Sequence, residues 1–323
     1  TRIVVERERE RMAFSSAGYW SLNAELTTPT PETFSAALLE VKGRRVAGSQ
    51  HFDDTGAVTS PEVMVLDEAA AVALSSALAN ESLTVESVKP KPYSRRPAAP
   101  FITSTFQQAA GGRLKMSSGR AMRAAQNLYQ NGYVTYMRTD STTLSDTALR
   151  AARAVIADQF GSDYLPPAPR TYKNKVRNAQ EAHEAIRPAG DQFRDPQEVA
   201  AEVSRDEAMI YEMIWQRTVA SQMTDVVGET VQIRLTGKAG EAPLEMVSKA
   251  PVLFATSGTI ISHLGFRKVY AGSSDENEQA VLPQVSEGDR VQIAELAPEG
   301  HTTQPPSRFT EASLIKKLEE LGV

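Results

Sequence analysis

One short stretch, Gly132-Tyr-Val-Thr-Tyr-Met-Arg-Thr-Asp-Ser141, brings Tyr136, Arg138, Asp140 and Ser141 within six residues. In extended backbone, side chains two apart share a side, so Tyr136, Arg138 and Asp140 are expected to face one way. A phenol oxygen is a nucleophile once its proton is gone, but a pKa of about 10 keeps it neutral near pH 7. A neighbouring guanidinium favours the phenolate and grips phosphate oxygens through its fork of donors. It also supplies a fixed cation for the charge that builds on phosphate during displacement. These residue types therefore suit phosphoryl transfer to a tyrosine. On type and spacing alone, a lone tyrosine is more often a packing residue. Arg138 then reads as a surface partner of Asp140, and Asp140 either orients Arg138 or caps the next turn with Ser141 and Thr143.

Other polar residues admit two readings each. His183 stands in Ala-His-Glu-Ala-Ile-Arg, where Arg187 occupies the place of the second histidine of a zinc-protease motif, so that chemistry has no support. Arg187 follows His183 at i+4 and shares its side if the segment is helical. Arg170, Lys173, Lys175 and Arg177, with Tyr172 among them, would track phosphates and stack a base, or form only a solvated face. Thr103, Ser104, Gln107 and Gln108 would touch a nucleic-acid strand, or Ser104 would simply cap a helix.

Helices are needed to hold these groups, and the periodicity predicts them at 104–111, 119–131, 146–160 and 204–223. Gly132 stops the second. Ser145 is the expected N-cap of the third, with Leu149, Ala152, Ile156 and Phe160 as its buried stripe. Ser204-x-x-Glu207 predicts a capping box ahead of Ile210, Ile214 and Trp215. Around this helical part the pattern is β. Trp20, Leu22, Ala24 and Leu26 alternate with polar residues, residues 34–42 read as a partner strand, and 82–88 and 231–235 repeat the period of two. A helix is expected at 67–79, another at the start of the chain, and a last one at 311–321. The proline-rich, basic run 89–100 predicts extended backbone. Residues 271–280 read as a mobile acidic loop, and after about 251 the pattern is mixed.

Composition narrows the classes. With 41% hydrophobic and 23% charged residues the chain is an ordinary globular one. No long apolar run predicts a membrane span. Cysteine is absent, which excludes disulfides, a thiol nucleophile and cysteine-ligated zinc in this stretch. The four histidines are too scattered for a histidine metal site. A net charge of −5 argues mildly against a nucleic-acid partner, although a local basic groove is all that binding needs. Starting at Thr1 within a helix and stopping at Val323, the sequence reads as a piece of a longer protein.

GYVTYMRTDST resembles the active-site signature of the type IA DNA topoisomerases, in which the second tyrosine attacks DNA. PFITSTFQQAA (100–110), QEAHEAIRP (180–188), TRIVVERERE (1–10) and RFTEASLIKKLEELG (308–322) resemble further segments of that family, in family order, and the layout is most similar to bacterial topoisomerase I. The resemblance implies an α+β fold in which a helical domain carrying the catalytic tyrosine (96–222) is inserted into a β-rich arch (17–95 and 223–250). Parts of a mixed, largely helical DNA-groove domain would lie at 1–16 and 251–323.

The resemblance implies Tyr136 as nucleophile, Arg138 as the phosphate-holding cation, His183 as a group that binds or protonates at the scissile phosphate, and Asp140 as a positioning residue. Weaker DNA contacts would come from Arg187, Ser104, Gln107, Gln108, Arg170, Lys173 and Lys175. The implied activity is ATP-independent relaxation of negatively supercoiled DNA through a 5′-phosphotyrosyl intermediate, in the cytoplasm, by a monomer acting on single-stranded or underwound DNA. The family's Mg²⁺ site belongs to an upstream Toprim domain whose Asp-x-Asp pattern is not in this chain, so the chain alone is expected to be inactive. A topoisomerase III or reverse gyrase core, a non-catalytic single-strand-binding module, and a purely structural α+β interaction protein are the alternatives.

Overall fold

The computed structural model describes residues 2–30, 32–172, 184–271 and 282–322. His183, Lys173, Lys175, Arg177 and residues 272–280 of the expected acidic loop lie outside them. The described chain forms two compact units: residues 1–93, 228–260 and 278–308, and residues 94–227, 261–277 and 309–323. No described helix is long and apolar enough to cross a membrane.

The first unit is mainly β. Helix α1 (Arg2–Ala13) is followed by β1 (Gly18–Thr27), β2 (Thr33–Val41), β3 (Arg44–Val46), β4 (Val63–Met64), α2 (Glu68–Leu78), β5 (Ser82–Arg95), β6 (Val226–Lys238), β7 (Pro251–His263) and β8 (Arg290–Thr302). The strand order is β1-β8-β5-β6-β7-β2-β3-β4, and β1 also pairs with β2, so six of the strands close into a ring. β1 runs antiparallel to β8 from Gly18 opposite Thr302 to Thr27 opposite Gln292. It meets β2 with Leu26 opposite Phe34.

The alternation read from the sequence sets which face turns inward. Leu22, Ala24 and Leu26 of β1 are fully buried, with Phe34, Ala36 and Leu38 of β2 against them. A register shift between Leu38 and Glu40 breaks the period of two, and it lets Val41 rejoin the core three residues after Leu38. Leu74 and Leu78 of α2, Leu83 and Val85 of β5, and Phe254 of β7 complete the cluster. Asp67 caps α2, its carboxylate accepting from the Ala70 amide at 2.8 Å. At Gly237 a Cβ would lie 2.5 Å from Leu83 Cδ2, so any larger residue at this position of β6 would make the Leu83 side chain of the neighbouring β5 shift. Phe254 has no exposed surface. Its replacement by alanine is expected to destabilise the unit by about 3–5 kcal/mol, measured by chemical denaturation.

The second unit is helical: α3 (Thr103–Arg113), α4 (Ser118–Gln130), α5 (Asp146–Val155) continued by a π turn (Ile156–Phe160), α6 (Pro196–Ala200), α7 (Arg205–Ser221), a 3₁₀ stretch (Gly265–Tyr270) and α8 (Glu311–Glu320). Five of these helices carry a Ser, Thr or Asp cap. Ser117, Ser145, Asp195, Ser204 and Thr310 accept from amides of their own first turns, and Glu207 returns a bond to the Ser204 amide at 2.8 Å. Ile210, Ile214 and Trp215 of α7 are buried as their spacing predicts. In α5 the stripe is shifted: Ala148, Ala151, Ala152 and Ile156 are buried, whereas Leu149 and Phe160 are only half-buried. Arg120 grips Asp206 with two parallel bonds of 2.5 and 2.6 Å, tying α4 to α7. The α+β class expected from the sequence is the class observed.

Candidate active site

The segment that carries Tyr136 begins at the end of α4. Gly132 adopts a left-handed conformation (φ +77°). The Tyr133 amide donates to Leu128 O at 2.8 Å and the Gly132 amide to Tyr129 O at 3.0 Å. This is the double bond pattern of a Schellman turn, which needs the φ that glycine supplies without strain. The helix therefore stops sharply and releases a non-helical segment, in which Val134 bridges to Pro188 and Met137 lies at a bend.

That segment is pinned from two sides. On one side Ala189 N donates to Tyr133 O, Thr135 N to Arg187 O, and the Thr135 hydroxyl to Ala185 O at 2.8 Å. On the other, Thr103 at the start of α3 takes the Thr139 amide on its hydroxyl oxygen at 2.9 Å. The same hydroxyl lies 2.9 Å from Met137 O and 3.0 Å from Thr139 O, and the Thr103 amide donates to Thr139 O. Met137 and Thr139 are buried, whereas Tyr136 and Arg138 are exposed and Asp140 is half-buried. Exposure thus alternates over 136–139, and Tyr136 keeps 44% of its surface exposed. Its ring meets the edge of Tyr129, centroids 5.2 Å apart at 60°.

The other tyrosine of the segment is held differently. The Tyr133 hydroxyl donates to Glu202 at 2.7 Å, and Arg194 clasps the same carboxylate with bonds of 2.9 and 2.5 Å. Arg194 and Tyr133 together push Glu202 down to about 2, and the Glu202 hydrogen bond raises Tyr133 above its ordinary value. A phenol that must keep its proton to satisfy a carboxylate is a poor nucleophile. Tyr172 is likewise withdrawn. Burial pushes it up to about 12, and its hydroxyl donates to Ser221 O at 2.7 Å.

Several expected contacts turn out to hold the fold together. Arg187 is buried; it pairs with Glu184 at 2.7 Å and donates to Pro188 O and Gly190 O. Residues 184–190 are not helical, so the helical i+4 relation of Arg187 to His183 has no support among the described residues. Arg170 pairs with Asp225 at 2.5 Å and donates to Met223 O, which ties down a cation expected to track phosphates. Gln108 donates to Glu319 of α8 at 3.1 Å. Ser104 does not cap α3: the Ile102 amide donates to the Thr105 hydroxyl oxygen at 3.0 Å. Ser104 and Gln107 are half-buried. The turn after Asp140 is made by hydroxyls, Thr139 accepting from Ser141 N and Ser141 from Thr143 N.

Glu184 links this loop to α5. Its carboxylate accepts from Ser145 N at 2.7 Å as well as from Arg187. Burial raises its pKa, but the Ser145 and Arg187 bonds together outweigh burial and leave it below the ordinary glutamate range. A depressed folded-state pKa stabilises above the unfolded value and is lost as pH falls through the folded one. The stability gap between the unmodified chain and Glu184→Gln is therefore expected at pH 6 and should narrow below about pH 4 in denaturation measurements. A gap independent of pH would contradict it.

Among the described residues no group of three or more histidine, aspartate or glutamate side chains is placed to hold a metal ion. The described residues do not fit the family's metal centre.

The geometry can be set beside known proteins. A family model described as DNA topoisomerase matches residues 1–323. The chain belongs to this bacterial type IA DNA topoisomerase family. It is 51% identical over 337 residues to DNA topoisomerase 1 of Mycolicibacterium smegmatis, covering 100% of this chain and 35% of that protein. It is 49% identical over 340 residues to DNA topoisomerase 1 of Mycobacterium tuberculosis, covering 36% of that protein. Among solved structures, full-length topoisomerase I from Thermotoga maritima matches with a TM-score of 0.73 at 28% identity, over 100% of this chain and 47% of that one. The chain thus spans about a third of the length of these curated topoisomerases.

Proposed function

We propose that this chain is the tyrosine-bearing part of an enzyme that relaxes negatively supercoiled DNA without ATP. The observation that carries the reading is the segment 133–140, fixed on both sides, which leaves Tyr136 and Arg138 exposed while Tyr133 is locked to Glu202. In the proposed reaction the Tyr136 oxygen gives up its proton and attacks a backbone phosphorus. The bond from phosphorus to the 3′ oxygen breaks, that oxygen takes up a proton, and the 5′ end stays on the enzyme as an aryl phosphate ester. An aryl oxygen leaves more readily than an alkyl one, so the freed 3′-hydroxyl can reverse the step with no further energy source. Arg138 meets the charge on the phosphate. Asp140 positions this cation, and His183 acts on the same phosphate by resemblance to the family.

The substrate is DNA, single-stranded or underwound at the point of cleavage, and the enzyme acts as a monomer in the cytoplasm. The isolated chain is expected to bind single strands weakly and to leave supercoils unrelaxed, since the acidic metal site is not among its residues. The test is a chimera in which this chain replaces the segment it matches in the M. smegmatis topoisomerase. It should relax negatively supercoiled plasmid and yield a denaturation-resistant adduct at the 5′-phosphate end of the broken strand. A folded chimera that binds DNA but forms no adduct would leave only a binding module.

A further inference from the structure

A second cationic site lies in the helical unit, away from the segment that carries Tyr136. Arg95, Arg96, Arg113, Arg217 and Arg267 line a cleft of about 370 Å³, and no aspartate or glutamate is among its described lining residues. They come from four separate segments: the end of β5, the last turn of α3, the middle of α7, and the 3₁₀ stretch 265–270. Gathering like charges at one concave surface costs energy that an anion would offset.

Three of the five arginines are held by neighbouring groups. Arg217 is half-buried, donates to Ala99 O at 2.6 Å and lies 4.7 Å from the Phe101 ring. Burial holds its guanidinium below its ordinary value. Arg95 lies over Phe266 at 6.0 Å and Arg113 over Tyr270 at 4.9 Å, so rings orient two of the cations. Arg96 is exposed and Arg267 half-buried.

The geometry points to this cleft as a second phosphate site, one that takes backbone phosphates of a single DNA strand. Size and shape favour a single strand. A concavity of this volume admits a nucleotide or two, whereas a duplex presents its phosphates on a convex surface too broad to enter. Its placement favours a strand continuous with the cleavage tract. α3 holds the Tyr136 segment through Thr103 in its first turn and presents Arg113 in its last, roughly 15 Å further along one helix. The inference rests on the DNA reading proposed above.

The test uses the 323-residue chain and a fluorescent twelve-residue oligothymidylate, titrated across a range of salt concentrations. The double variant Arg96→Ala/Arg267→Ala should bind roughly tenfold more weakly. The slope of log affinity against log salt should fall by about 1.4, the release expected from two phosphate contacts on a single strand. The matching double lysine variant, which keeps both charges, should restore the slope. Arg138→Ala reads the cleavage tract separately. If it weakens binding while the cleft variant does not, the cleft inference falls and the topoisomerase reading stands. If neither changes binding, both fall. If inorganic pyrophosphate binding depends on Arg96 and Arg267 while oligothymidylate binding does not, the cleft serves a small free anion and the strand assignment is overturned.

Discussion

Tyr136→Phe in the chimeric enzyme should abolish the covalent DNA adduct and lower relaxation by at least about 10³-fold while leaving oligonucleotide affinity within a factor of about two. The change removes one oxygen from a side chain that is 44% exposed and whose ring rests edge-on against Tyr129. Little packing is disturbed, so unfolding cannot account for the loss. Tyr133→Phe is the control, because it deletes a hydroxyl of the same segment. That hydroxyl serves Glu202, so the control should cost some stability and keep the adduct. Adduct lost in the control and kept in Tyr136→Phe would reverse the assignment.

Arg138→Ala is the second large effect, with cleavage of a labelled single strand expected to slow by roughly 10²–10³-fold. Arg138 is exposed, as Tyr136 is, so its loss leaves no buried partner unsatisfied. Arg138→Lys should recover part of the rate: the charge remains but the two-pronged grip is gone. A slowing that raising the DNA concentration fully repairs would mean that Arg138 only gathers substrate and does not act on the transition state.

Local signals in the sequence carried much of this structure. Ser145, Ser204 and Gly132 mark helix ends because capping involves neighbours a few residues away. The exposure of Tyr136 and Arg138 beside buried Met137 and Thr139 matches the spacing read there. What was not legible is long-range partner choice. Arg170 and Arg187 look like DNA-facing cations until Asp225 and Glu184 are folded against them. Thr103 reads as a surface polar residue, yet it clamps a segment more than thirty positions away. The arginine cleft is dispersed over four segments that no spacing rule connects. β7 and β8 give no period-two signal because their burial does not alternate: Val252, Leu253 and Phe254 are buried in succession, and Val291 is the single fully buried residue of β8.

The closure of β1 on both β2 and β8 has a consequence for how the first unit yields under load. An open sheet can be unpicked from its outermost strand, and that strand is also where foreign chains dock and aggregate. A hoop offers no such starting point, so two seams must part before any member is released. Amide exchange through β1 should accordingly track the collapse of the whole hoop, with the short β3–β4 spur exchanging first. Such a body can transmit force along the chain while its own pairing stays intact.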